Sequence, residues 1–248
     1  MKEIITMGEL LVEIMRPSEN ISLDKSDYFR GPFPSGAPGI FISTAARLGH
    51  STAIISGVGN DDFGKNILTR LQKNNVDISR VLQTNDGHTG IAFVSYTSDG
   101  ERKYLFYMDN SPCIKAKAPE NFSGFEGTKF FHVMGCSLMA DLNFAHEILK
   151  TVKLFRDNGA KISFDPNVRL EMLRDKSVWK IFREVLENSS VLMPGMSELK
   201  FFMGENDTDS AIKKAFQSKN LELLVLKDGS RRNGRGRFLR RNIYLRTC

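Results

Sequence analysis

The sequence predicts an α/β fold built on a mostly parallel sheet, and three observations carry that expectation. Short apolar runs at 130–134, 161–164, 190–193 and 222–226 alternate with helical stretches near 142–157, 175–188 and 208–218. Strands joined through helices pair in parallel and are covered on both faces. Three consecutive strands end in polar groups: Asp165-Pro166-Asn167-Val168-Arg169, then Pro194-Gly195-Met196-Ser197-Glu198, then Lys227-Asp228-Gly229-Ser230. Open α/β sheets bind ligands at the carboxyl ends of their strands. Finally, Asp99-Gly100 sits between two β-rich runs, 89–96 and 102–108, which signals a hairpin outside the alternating pattern.

In chain order, 4–15 reads as a first strand interrupted by Gly8-Glu9, with Glu13 beyond the interruption. Arg16-Pro17-Ser18-Glu19-Asn20 is turn chemistry. Residues 28–31 suit a short strand before Pro32 and Pro34. Ser35-Gly36-Ala37-Pro38-Gly39 then opens a helix over 40–48 that stops at Gly49. Such a loop leaves backbone N–H groups free for a ligand oxygen, although a tight turn needs small residues too. A strand over 52–56 leads into Gly57-Val58-Gly59-Asn60-Asp61-Asp62-Phe63-Gly64 and a helix to about Asn74. The glycine spacing does not match G-x-G-x-x-G, which disfavours a dinucleotide oxidoreductase. Asp61 or Asp62 suits a helix N-cap.

Composition excludes several classes. With 41% hydrophobic and 26% charged residues, and 18 Phe, the chain can bury a core and matches ordinary globular proteins. It has no run of about 18 apolar residues, so no transmembrane helix is expected, nor a membrane partner. No signal peptide is read at the start, and three widely spaced cysteines, Cys113, Cys136 and Cys248, suit a reducing cytoplasm. The four histidines show no metal-ligand spacing. The net charge of +6 is local: residues 231–248 hold seven Arg and no acid, and the remainder has 28 basic against 29 acidic residues. A nucleic-acid partner is therefore not expected.

Proline has no N–H, so the strand at 161–164 must end at Asp165-Pro166. Asn167 and Arg169 follow at once. A guanidinium there suits a phosphate or carboxylate through paired hydrogen bonds, or it simply salts the surface. The three polar strand ends together suit a polyphosphate and its Mg²⁺, which takes carboxylate or carboxylate-bound water.

Taken in order, Gly8-Glu9-Leu10-Leu11, the loop from Ser35 to Gly39 with Ala46-Arg47-Leu48-Gly49, Gly57 to Gly64, the hairpin, Asp165-Pro166-Asn167 with Arg169, Glu198 and Lys227-Asp228-Gly229-Ser230 resemble the ribokinase-like, or PfkB-type, carbohydrate kinases. The resemblance covers residues 1–230. It implies a three-layer α/β/α doubly wound sheet, incomplete at the C-terminus, with a small β lid from segments about 17–34 and 89–110, and an atypical Arg-rich tail over 231–248. It implies transfer of the γ-phosphoryl of ATP to a hydroxyl of a sugar, a ketose such as fructose or tagatose, or 2-keto-3-deoxygluconate. By resemblance, Arg169 is catalytic. Glu13, Gly36, Ala37, Tyr107 and Asn167 bind the sugar, while Glu198, Lys227, Gly229 and Ser230 serve ATP. Glu198 also serves Mg²⁺, indirectly, and pairing of two chains through the lid is implied.

The chain departs from the family pattern at five places. Ser35-Gly36 replaces Gly-Gly, and Ile40 replaces a sugar-contacting Asn. Tyr107-Met108 replaces the Tyr-Arg of the sugar-acid kinases, which favours a neutral sugar, and Gly195 replaces the Asn of Asn-x-x-Glu. The Gly-Ala-Gly-Asp anion hole and its general-base Asp are not present in this sequence. The jump to seven Arg suggests an out-of-frame tail. An inactive or feeble kinase, a non-catalytic sugar- or nucleotide-binding relative, and an uncovered sheet edge from an ending near 230, with low solubility, are the corresponding expectations.

Overall fold

The computed structural model describes residues 1–227 and, as backbone alone, 237–240 and 243–245. Gly229, Ser230 and the out-of-frame reading of the tail lie outside the described residues.

The chain runs β1 (Ile4–Met7), β2 (Leu11–Met15), β3 (Arg30–Ser35), α1 (Ala37–Arg47), β4 (Thr52–Gly59), α2 (Asp62–Lys73), β5 (Val76–Asp77), β6 (Val81–Thr84), β7 (Gly90–Tyr96) and β8 (Arg102–Tyr107). It continues with β9 (Phe130–Met134), α3 (Gly135–Ala140), α4 (Leu142–Asp157), β10 (Lys161–Asp165), α5 (Val178–Glu187), β11 (Val191–Leu192), α6 (Met196–Met203), α7 (Thr208–Ala215) and β12 (Leu223–Leu226). Backbone strands β13 (Arg237–Arg240) and β14 (Ile243–Leu245) follow.

The main sheet is ordered β14-β13-β12-β11-β10-β9-β1-β4-β5, with β6 also on β4. From β12 to β5 every described pairing is parallel, as the strand–helix alternation requires. Strand β13 pairs antiparallel with β12, so β12 is not the bare edge the sequence suggested. Apolar side chains pack on both faces of this sheet. Phe131, Phe144, Phe155, Phe164 and Phe182 are fully buried in one cluster, with Phe155 meeting Phe122, Phe125 and Phe131 ring to ring. Leu10, Ile42, Ile54, Val58 and Ile67 form the other, beneath α1 and α2. Two helical layers around one sheet result.

The segment 4–15 is two strands, not one. After β1, Gly8 is pressed against Pro38 and Ser137, where a Cβ would clash, and the chain leaves the main sheet. Strand β2 joins a second sheet, ordered β3-β2-β7-β8. Strands β7 and β8 pair as the expected antiparallel hairpin, while β2 and β7 pair in parallel. Pro32 and Pro34 lie in β3, at the edge, where a missing N–H costs no ladder bond. Buried Arg16 gathers the loop before β3 by donating to the carbonyls of Ser22, Lys25 and Tyr28. Among the described residues, no helix is long and apolar enough to cross a membrane.

Candidate active site

A cavity of about 120 Å³ lies between the two sheets. Strand β8 contributes Arg102, Tyr104 and Phe106, every second residue, because the pleat turns alternate side chains to one face. Glu13 comes from β2, Gly36 and Ala37 from the turn into α1, and Asn167 and Arg169 from the exit of β10. The structure thus brings five sequence-predicted residues, Glu13, Gly36, Ala37, Asn167 and Arg169, to one cavity. Tyr107 does not join them. It sits on the opposite face of β8, 59% exposed, with its ring edge-on to Phe93 at 5.9 Å.

The turn into α1 holds its shape for a backbone reason. Gly36 has φ 95°, and a Cβ there would approach the Glu9 carbonyl oxygen to 2.5 Å. Only glycine meets both demands without strain. Glu9 itself is 2% exposed and accepts hydrogen bonds from Ser137 Oγ and, at 3.3 Å, from Cys136 Sγ. Burial raises its carboxyl above the usual range, against those donors and the N–H of Ala37.

Arg169 donates from Nη1 to the Val168 carbonyl at 3.0 Å, and its guanidinium lies 5.8 Å from the Tyr104 ring centre. It forms no ion pair with a carboxylate among the described residues. Asn167 adopts φ 36°, and its N–H donates to Asp165 Oδ1 at 3.1 Å. That local bond makes the left-handed turn at the strand end and aims the next residues toward β8.

Beside this cavity the three polar strand ends meet. Lys227 Nζ bonds both oxygens of Asp165, at 2.6 and 2.7 Å, and its backbone bridges to Gly195. Glu198 Oε1 accepts from the Val168 N–H at 2.8 Å and Oε2 from the Gly195 N–H at 2.7 Å. The second bond is one half of a capping box on α6. The other half is missing, because Gly195 has no side chain to return it. Burial raises the Asp165 carboxyl, Lys227 opposes that, and the nearby Glu198 charge adds to the rise. No group of three or more His, Cys, Asp or Glu suited to a metal exists among the described residues. Both Glu198 oxygens are engaged and Asp165 faces Lys227, so this pair suits a hydrated cation better than direct coordination.

Sequence reading missed Glu9, Arg102, Tyr104, Phe106 and Cys136. The β8 trio was recoverable from strand alternation once its inward face was known. Glu9 and Cys136 gave no periodic signal.

The family model described as "pfkB family carbohydrate kinase" matches residues 1–231. Fructokinase-2 of Solanum lycopersicum is 28% identical over 231 residues, 92% of this chain and 70% of that protein. An Escherichia coli structure, a "putative Ribokinase II in complex with ATP and Mg+2", superposes with a TM-score of 0.88 at 33% identity, covering 99% of this chain and 77% of that one. A fructokinase from Xylella fastidiosa superposes with a TM-score of 0.82 at 21% identity, over 98% and 74%, and shows the shared fold.

Proposed function

Because the chain belongs to the pfkB family of carbohydrate kinases, we propose that it transfers the γ-phosphoryl group of ATP to a hydroxyl of a neutral ketose such as fructose or tagatose. The observation that carries this reading is the meeting of Arg169, Glu13 and Asn167 on one cavity next to Lys227 and Glu198. Met108, where a sugar-acid kinase carries arginine, is buried against Gly90 and presents no charge. Curated relatives named as fructokinases agree with a neutral sugar.

Phosphoryl transfer asks the protein for position and charge more than for covalent chemistry. In this reading Glu13 and Asn167 hold sugar hydroxyls. The second sheet serves as the lid, and its Tyr104 and Phe106 exclude water from the cavity. Arg169, free of carboxylate partners, spreads charge from the transferred group. Lys227 exchanges Asp165 for a nucleotide phosphate. Mg²⁺ accompanying ATP would be held through water by Asp165 and Glu198, and would neutralise phosphate charge there. Tyr107 has no part in this site.

The test is ADP release by the full chain with fructose, tagatose and 2-keto-3-deoxygluconate. Slow turnover with a ketose, in keeping with the feeble-kinase expectation, reduced about 10²-fold or more by Arg169→Ala, is expected. ATP binding without turnover on any of the three would favour the non-catalytic relative instead.

A further inference from the structure

We propose that the groove between β3 and α2 is a second ligand site, for a small phosphorylated metabolite with at least two negative charges. It stands apart from the kinase reading and uses none of Arg169, Glu198 or Lys227.

Two adjoining cavities form the groove, and both are lined by Pro34 and Arg70. The smaller, about 150 Å³, lies between α1 and α2 and reaches Arg47. The larger, about 450 Å³, runs along α2 past Lys65 and Lys73, under Phe33 of β3. Four cations thus face one continuous space, against a single acid, Asp62. None of the four enters an ion pair or a side-chain hydrogen bond among the described residues.

A second observation points the same way. Asn66 lines the larger cavity, and its side-chain carbonyl oxygen is buried without a hydrogen-bond partner. Exchanging the amide's oxygen and nitrogen would set a donor at that place, as an anion requires. An occupant that turns the Asn66 amide outward would relieve this unmatched atom, which is costly to leave buried.

The plain alternative is that Arg47, Arg70 and Lys73 sit in last helical turns, where cations answer the helix dipole. That explains each one singly. It does not explain Lys65, near the start of α2, nor the convergence of all four on one space. Guanidinium pairs recognise phosphate through parallel donors. Phe33, partly exposed on the opposite wall, offers an apolar surface to the rest of such a molecule. Ser35 and Ile40 line both the smaller cavity and the sugar cavity, so an occupant would press on the turn into α1.

The experiment measures thermal stability and heats of binding of the full chain with inorganic phosphate and with tripolyphosphate, at constant ionic strength. Ligands that bind only the native state raise the melting temperature. The expected result is a rise with either probe that falls at least tenfold in apparent affinity in Arg47→Gln/Arg70→Gln and persists in Arg169→Gln/Lys227→Gln. If the first pair does not fold, Lys65→Gln/Lys73→Gln is expected to show the same loss. No rise in the parent protein, a rise that survives the groove substitutions, or one abolished by Arg169→Gln/Lys227→Gln would overturn the proposal.

Discussion

The Arg169 guanidinium lies 5.8 Å from the centre of the Tyr104 ring, and this contact joins the exit of β10 to the inward face of β8. It ties the residue proposed to meet the transferred phosphoryl group to the second sheet. A cation over an aromatic face at a partly exposed site contributes about 0.5–1 kcal/mol. Tyr104→Ala should therefore weaken ketose binding about 2–5-fold and leave nucleotide affinity alone. Tyr104→Phe keeps the ring and should behave as the parent. Titration calorimetry of both variants checks this, and equal losses in the two would implicate the hydroxyl instead.

Gly36→Ala forces a side chain onto φ 95° and into the Glu9 carbonyl oxygen. Strain of that kind costs on the order of 1–3 kcal/mol. A lower urea midpoint is expected, together with weaker sugar binding, because the same turn lines the cavity. An unchanged midpoint would mean the turn relaxes freely.

Glu198→Gln leaves one backbone donor, of Val168 or Gly195, facing an amide N–H₂ instead of an oxygen. An unmatched donor costs about 1–3 kcal/mol. Equilibrium unfolding should show that loss, and ATP affinity should fall with it, since the β10 exit and the α6 start lose their common tie. Normal stability with weakened ATP binding would assign Glu198 to the nucleotide alone.

His132 lies wholly inside the main sheet, stacked on Phe41 at 3.7 Å, with Nδ1 3.1 Å from Ser163 Oγ. Burial, with a smaller push from the Lys227 charge, lowers it to about 3. An unfolded histidine titrates near about 6.5. The unfolded chain therefore binds the proton first, and this residue removes stability as pH falls from about 6.5 toward about 3, at up to about 1.4 kcal/mol per pH unit. His132→Phe keeps the stack and abolishes the titration. Its unfolding free energy should depend less on pH across that window, whatever its value at pH 7. Parallel pH profiles for the two proteins would contradict the assignment.

Much of this protein could be read locally. The helix Leu142–Asp157 and the strand Phe130–Met134 lie where the alternation of apolar runs and helical stretches puts them, and Asp141 caps the helix by accepting from the Phe144 N–H. Other features needed the whole molecule. Glu198 reads as a metal-network residue in sequence, yet in the structure both its oxygens hold backbone N–H groups from two segments. Tyr107 reads as a sugar contact, yet register decides which face of β8 looks inward, and one residue of shift reverses it.

By itself, the chain's order of apolar runs, breakers and polar strand ends determined an α/β sheet with polar groups gathered at one edge, because those signals act within a few residues. Only tertiary structure decided that β1 and β2 part into different sheets, that Arg102, Tyr104 and Phe106 rather than Tyr107 face the cavity, and that Lys227 rests on Asp165. Each of those outcomes depends on pairing between segments tens of residues apart, and no local propensity encodes the partner.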